Sequence, residues 1–275
     1  MTRLASATVC AVTDGTGLGD GTAQHHANAH LGFGIDIGGS GMKAAVVDLD
    51  SGELLSERQR ISTPHPATPE AMADVVRRLV EHDGWTRPLG VAFPAVVDHG
   101  VVHSAANIDK SWVGVDADTV FSNACGLDVS MVNDADAAGV AEMRYGAGKG
   151  VRGVVIMLTF GTGIGSGLFT DGVLVPNTEL GHLELDGHDA ETVAAASVRE
   201  REGIGWKEWA SRVQHYLRHV EMLFSPDLFI VGGGASKAHA KWLPRIDIET
   251  EIVPAVMQNS AGIVGAALMA RPTAT

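Results

Sequence analysis

Gly32-Phe33-Gly34-Ile35-Asp36-Ile37-Gly38-Gly39-Ser40-Gly41-Met42-Lys43-Ala44-Ala45-Val46-Val47-Asp48-Leu49 sets the architecture of this chain. Apolar and β-branched residues flank a glycine cluster, so residues 32–37 read as one strand and residues 42–49 as the next. A glycine turn between two strands is neither a P-loop, which needs Gly-Lys-Ser/Thr, nor a dinucleotide fingerprint, whose glycines precede a helix. With no Cβ in the way, successive amides at such a tip can converge on an anion, and Asp36 at the strand end suits a hydrated magnesium ion. Asp36, Gly38, Gly39, Ser40, Gly41 and Lys43 are therefore candidate phosphate ligands, although a plain hairpin with a surface Asp has the same spelling.

Outward from that hairpin, a third strand is predicted over residues 53–61, and a helix over 69–82 with Thr68 as its N-cap. A strand at 89–93, a small hairpin over 96–102, a helix at 116–125 and a strand at 127–132 complete the first half. The second half repeats the opening: an apolar strand at 151–159, the turn Gly161-Thr162-Gly163-Ile164-Gly165-Ser166-Gly167, and a returning strand at 166–175. Helices at 190–201 and 206–224, a strand at 228–231, a turn at Gly232-Gly233-Gly234 and a helix at 261–270 follow. The repetition predicts a duplicated α/β design with a central cleft, made of a small lobe at residues 31–135 and a larger one at 136–275. The last helix is expected to pack back on the small lobe. Residues 1–30 lack apolar periodicity and are expected to form a disordered tail.

The chain of 275 residues is long enough for two lobes, and its 34 glycines imply many tight turns. A net charge of −13 disfavours nucleic acid and anionic membranes as partners. Cys10 and Cys125 are too few for a disulfide framework or a four-cysteine zinc site, which points to a reducing, cytoplasmic setting. No apolar run is long enough to span a bilayer, and the weakly apolar start, with Ser6, Thr8 and Thr13, is a poor secretory core. The assembly stays open, a homodimer included.

Three further segments carry chemistry. Met131-Val132-Asn133-Asp134-Ala135-Asp136 stands where a strand gives way to a helix, a usual place for reactive groups in open α/β sheets. Asp134 is the candidate catalytic base, accepting a proton from an attacking hydroxyl; helix capping, by Asp134 or Asn133, is the plainer use. Asp136 reads as a first-turn charge that points elsewhere. In Glu179-Leu180-Gly181-His182 a carboxylate and an imidazole flank a glycine and could grip neighbouring sugar hydroxyls, with Asn107 and Asp134 nearer the reacting one; a surface pair has the same spacing. Thr159, Gly161, Thr162 and Gly163 in the second turn, with Gly233 and Gly234 in the third, are candidates for holding a phosphate donor.

Taken in order, these segments over residues 32–270 resemble the ROK family of sugar kinases and repressors, most closely its polyphosphate-using branch. The resemblance implies an actin-like, ribonuclease H-like fold, a catalytic aspartate at Asp134, and sugar contacts at Asn107, Asn133, Glu179 and His182. It also implies magnesium. Many family members carry a cysteine-rich zinc loop after the Gly-His step, ending in a sugar-binding glutamate. Here Gly187-His188-Asp189-Ala190-Glu191 stands in its place, so no structural zinc is expected and the glutamate's role passes to Glu191. The implied reaction moves a terminal phosphoryl group from inorganic polyphosphate, ATP or both to the 6-hydroxyl of glucose, with mannose left open. An ATP-only glucokinase and a non-catalytic sugar-responsive regulator are the alternatives, although no helix-turn-helix segment precedes the first strand. For a polyphosphate chain, Lys43, Lys110, Arg144, Lys149, Arg152, Arg199, Arg201 and Lys207 are the candidate cations.

Overall fold

The computed structural model describes residues 30–105 and 108–270. The expected tail at residues 1–30 falls, except for His30, outside them, and so does Asn107. β1 (Leu31–Gly38) and β2 (Gly41–Asp48) form the opening hairpin, with Leu31 opposite Asp48 and Gly38 opposite Gly41. β3 (Gln59–Ile61) pairs antiparallel with β2, while β4 (Leu89–Phe93) and β7 (Val129–Asn133) add on in parallel, giving the order β3-β2-β1-β4-β7. The second sheet copies it: β8 (Val154–Phe160), β9 (Ile164–Thr170), β10 (Val173–Val175), β13 (Leu228–Gly232) and β14 (Glu251–Pro254) stand in the order β10-β9-β8-β13-β14. Equivalent neighbours share their sense, antiparallel at β1–β2 and β8–β9, parallel at β1–β4 and β8–β13. A βαβ crossover runs one way only, so matched strand orders put the glycine turns of both sheets at matching carboxyl ends.

α1 (Pro69–Asp83) is capped by Thr68, whose hydroxyl accepts from the Ala71 amide, and ends on the left-handed Gly84. Its apolar stripe, Met72, Val75, Val76 and Leu79, packs with α2 (Ala117–Cys125) on one face of the first sheet, around Phe33, Phe93 and Trp112. Against the second sheet, α6 (Trp206–Phe224) buries Trp209, Val213, Tyr216 and Leu217 beside Phe160 and Trp242, the last residue of α7 (His239–Trp242). The opposite face of the first sheet is covered by α8 (Ala261–Met269), which also packs against α3 (Asp134–Tyr145). This helix lies unusually close: a Cβ on Gly34 or Gly90 of the sheet would collide with the carbonyls of Ile263 or Ala266, and one on Gly265 with that of Ala137. Only glycine permits such contact.

Two expected elements are broken by side chains that take over backbone partners. The strand over 53–61 shrinks to Gln59–Ile61 because the Ser56 hydroxyl accepts from the Val46 amide at 3.0 Å, interrupting the ladder. The helix over 190–201 splits into α4 (Glu191–Ala194) and α5 (Ala196–Glu202) at an extended Ala195. There the Trp209 indole donates to the Ala194 and Ala195 carbonyls, 3.1 Å each.

Candidate functional site

A cleft of about 450 Å3 opens between the two sheets. Asp36, Gly38 and Gly39 line one wall, and Thr159, Gly161, Thr162 and Gly163 face them from the other lobe. Gly233 closes the donor end with φ of +73°, where a Cβ would stand 2.6 Å from the Phe160 carbonyl oxygen, so the turn admits no side chain. Gly234 and Lys43 border the adjoining cavity. Asp36 is 3.0 Å from the Lys43 ammonium, directly across the β1–β2 ladder. Ser40 and Gly41 are turned away from the cleft toward Arg60, whose Nη2 donates to the Ser40 carbonyl at 2.8 Å.

Asp134 sits on the cleft floor as the first residue of α3. Asn133 holds it there: its Oδ1 accepts from the Ala135 and Asp136 amides at 2.9 and 3.1 Å, and its Nδ2 donates to the Ala95 carbonyl at 3.1 Å. Helix capping therefore belongs to Asn133, leaving one amide hydrogen free for a ligand and the Asp134 carboxylate for chemistry. Burial pushes Asp134 up to about 7, and the negative charge of Asp36 adds to the rise, followed by Glu179 and Asp136. Near neutral pH such a carboxyl is poised between acid and base.

Asp136 stands in the first turn of α3, as expected, but as a buried group with a partner of its own. It is 1% exposed, and its Oδ2 accepts from the Asn177 amide at 2.7 Å. Asn177, at φ of +58°, in turn grips Val97 of β5 (Val97–Asp98), accepting from its amide at 3.1 Å and donating to its carbonyl at 2.8 Å. The helix that starts at Asp134 is thereby tied through Asn177 to the hairpin of β5 and β6 (Val101–Val102) across the cleft mouth. Burial raises Asp136, too, to about 7.

On the acceptor side, Glu179 precedes a 3-10 turn at Leu180–His182, and burial raises its carboxyl. His182 Nδ1 lies 2.7 Å from Asp189 Oδ2, and its Nε2 4.0 Å from Glu179 Oε2. Asp189 comes from a hairpin of two-residue strands, β11 (Glu184–Leu185) and β12 (His188–Asp189), and its hydrogen bond is the main cause of a raised His182 pKa. The other Asp189 oxygen accepts from the Glu191 amide at 3.2 Å, while Glu191 Oε2 accepts from Ile164 at 3.0 Å. Asp189 thus serves both candidate sugar ligands, a role invisible in the sequence because two-residue strands carry no periodicity. His182, Asp189 and Glu191 offer ligand atoms within 4.8 Å of one another, but the Nδ1 of the histidine is already engaged by Asp189. For a hard cation, Asp36 offers a carboxylate on the cleft wall, with one oxygen on Lys43 and the other without a partner among the described residues, close enough to Asp134 for its charge to raise that pKa.

Of the expected cations, Lys43 alone is at the donor cavity; Arg144 and Lys149 follow α3 away from its cleft end, roughly 18 Å for 12 residues. Arg199 is stacked 4.0 Å over Trp206.

The chain is 52% identical to the polyphosphate glucokinase of Mycobacterium tuberculosis (strain CDC 1551 / Oshkosh) over 248 residues, 90% of this chain and 92% of that protein. Its structure resembles that of the inorganic polyphosphate/ATP-glucomannokinase of Arthrobacter sp. strain KM, with 55% identity, a TM-score of 0.84 and coverage of 88% and 98%. It also resembles a ROK family glucokinase of Streptomyces griseus in complex with glucose and AMPPNP, at 27% identity, a TM-score of 0.73 and coverage of 88% and 99%. The duplicated sheets are those of the actin-like ATPase fold. With the ROK family profile matching residues 32–200, more than half its length, this chain belongs to the ROK family.

Proposed function

We propose that this protein is a glucokinase that transfers the terminal phosphoryl group of inorganic polyphosphate or of ATP to the 6-hydroxyl of glucose. The observation that carries the reading is Asp134, a carboxyl raised to about 7 on the floor of a cleft whose two walls are glycine turns. The similarity to the polyphosphate glucokinase and glucomannokinase above supports the donor and the acceptor alike.

In this reading Glu179, His182 and Glu191 hold the hexose, together with Asn107 and the free amide hydrogen of Asn133. Asp134 takes the proton of the 6-hydroxyl as its oxygen attacks the terminal phosphorus, and the shortened donor leaves with the bridging oxygen. The amides of Gly38, Gly39, Thr162 and Gly163 face the phosphates, while that of Gly161 closes the turn onto the Gly163 carbonyl at 3.0 Å. Asp36 would hold magnesium, which screens phosphate charge when bound. With the lobes taken as residues 31–135 and 136–275, closing of the cleft between them would exclude water. Among the described residues no helix is long and apolar enough to cross a membrane, and with the net charge of −13 this supports a cytoplasmic enzyme without nucleic-acid partners.

The test is glucose 6-phosphate formation from ATP-free polyphosphate and, separately, from ATP. Product is expected from both, with the polyphosphate reaction more sensitive to salt because exposed charges attract a polyanion. No product from either donor would overturn the reading, and product from ATP alone would leave an ATP glucokinase.

A further inference from the structure

The donor end of the cleft continues into a second cavity of about 220 Å3, which shares Asp36, Thr159 and Gly233 with the first. Its charge opposes the net charge of the chain: Lys43 and Lys237 line it against the single acid Asp36. The antiparallel ladders set Asp36 opposite Lys43 and Lys43 opposite Arg60, and directly opposed residues project on the same face of a sheet. The row therefore steps from the cleft to the sheet edge over two strand spacings, roughly 10 Å. Arg60 is exposed, and its guanidinium lies over Gly41, where a Cβ would come within 2.7 Å of it. Arg58 reaches the Asn259 carbonyl at 3.4 Å, and Asn259 itself lines the cavity. Lys237 borders the cavity from the other lobe, in the 3-10 turn at Gly234–Ala238. Among the described residues Lys43 is paired with Asp36, but no acid lies within ion-pair distance of Arg58, Arg60 or Lys237.

Three unpaired cations at one opening, in a chain of net charge −13, form a local reversal of sign. The phosphoryl transfer itself gives them nothing to do, since the reacting phosphate lies at the glycine turns. A nucleotide is no better match: beyond its three phosphates it offers a neutral ribose and base. An extended polyanion carries charge along its whole length. We propose that Arg58, Arg60 and Lys237 form a track that holds the body of an inorganic polyphosphate chain while its terminal phosphate sits in the cleft. The track rests on the donor reading above and explains how an acidic protein accepts a polyanion.

The test uses the full chain with Arg58→Ala and Arg60→Ala combined, and separately Lys237→Ala. Equilibrium binding of long-chain polyphosphate is measured without glucose, alongside KM for long-chain polyphosphate, tripolyphosphate and ATP. The double variant is expected to weaken long-chain binding at least about tenfold at low salt and to flatten its salt dependence, with Lys237→Ala weakening it several-fold. KM for ATP and tripolyphosphate should stay within about twofold, which also certifies folding. Unchanged long-chain binding, or equal losses for ATP and polyphosphate, would overturn the track. Wild-type protein that binds polyphosphate without transferring from it would sink the donor reading, while the variants would still decide the track. Wild-type protein that does not bind it would remove both.

Discussion

Replacing Asp136 by Asn should stabilise this protein, and more so as pH rises. The carboxyl is buried; one oxygen accepts from the Asn177 amide, and Oδ1 has no partner among the described residues. Burial displaces its pKa from 3.8 to about 7, so the folded state holds the proton more tightly than the unfolded chain. Below about pH 4 both states are protonated and nothing is lost. As pH rises toward 7 only the unfolded state ionises freely, and stability falls; above 7 the loss levels off. At about 1.4 kcal/mol per pH unit, the displacement corresponds to on the order of 4 kcal/mol, of which about 3 develops between pH 5 and pH 8. Asparagine cannot ionise, yet its carbonyl oxygen still accepts from Asn177. Thermal melts of wild type and Asp136→Asn at the two pH values should thus differ in their Tm gap by roughly 6 °C or more, the gap being larger at pH 8. A gap independent of pH, or one that closes at pH 8, would refute a buried, proton-holding Asp136.

Asp134→Asn should lower kcat by roughly 100- to 10,000-fold with glucose affinity changed far less, measured by steady-state kinetics and direct sugar binding. In the wild type, kcat/KM should climb with pH through about 7 as Asp134 loses its proton, and Asp136→Asn should move that limb to lower pH by removing a like charge. Asp189→Asn should lower the pKa of His182, read by NMR titration, and raise the KM for glucose by about tenfold with little effect on the KM for ATP. Gly265→Ala should destabilise the fold by about 3 kcal/mol in denaturant unfolding, because the new methyl meets the Ala137 carbonyl.

The catalytic cleft was legible where chemistry and local pattern coincide. Gly38-Gly39 and Gly161-Thr162-Gly163 interrupt strands at matching places, and Asn133-Asp134 marks a strand-to-helix step, so their convergence followed from duplication. What stayed hidden depends on partners distant in the chain. Asp136 is buried by a loop 41 residues away, and no local spacing distinguishes it from a solvated first-turn acid. The break at Ala195 is made by an indole 14 residues later, where the helical pattern itself runs on unbroken. Arg58 and Arg60 gain meaning only from the ladder register that aligns Arg60 with Lys43 and Asp36.

The seating of α8 bears on how the chain is made. Its residues 261–269 come at the end of the described chain, yet they cover the face of the sheet that begins at Leu31, against Gly34 and Gly90. During synthesis α3 follows the first sheet at once and covers part of the face that holds Ala45, Val47 and Ala92, but more than a hundred further residues are added before α8 completes the cover. A ribosome stalled within the second half therefore leaves part of that apolar face bare for chaperones to hold.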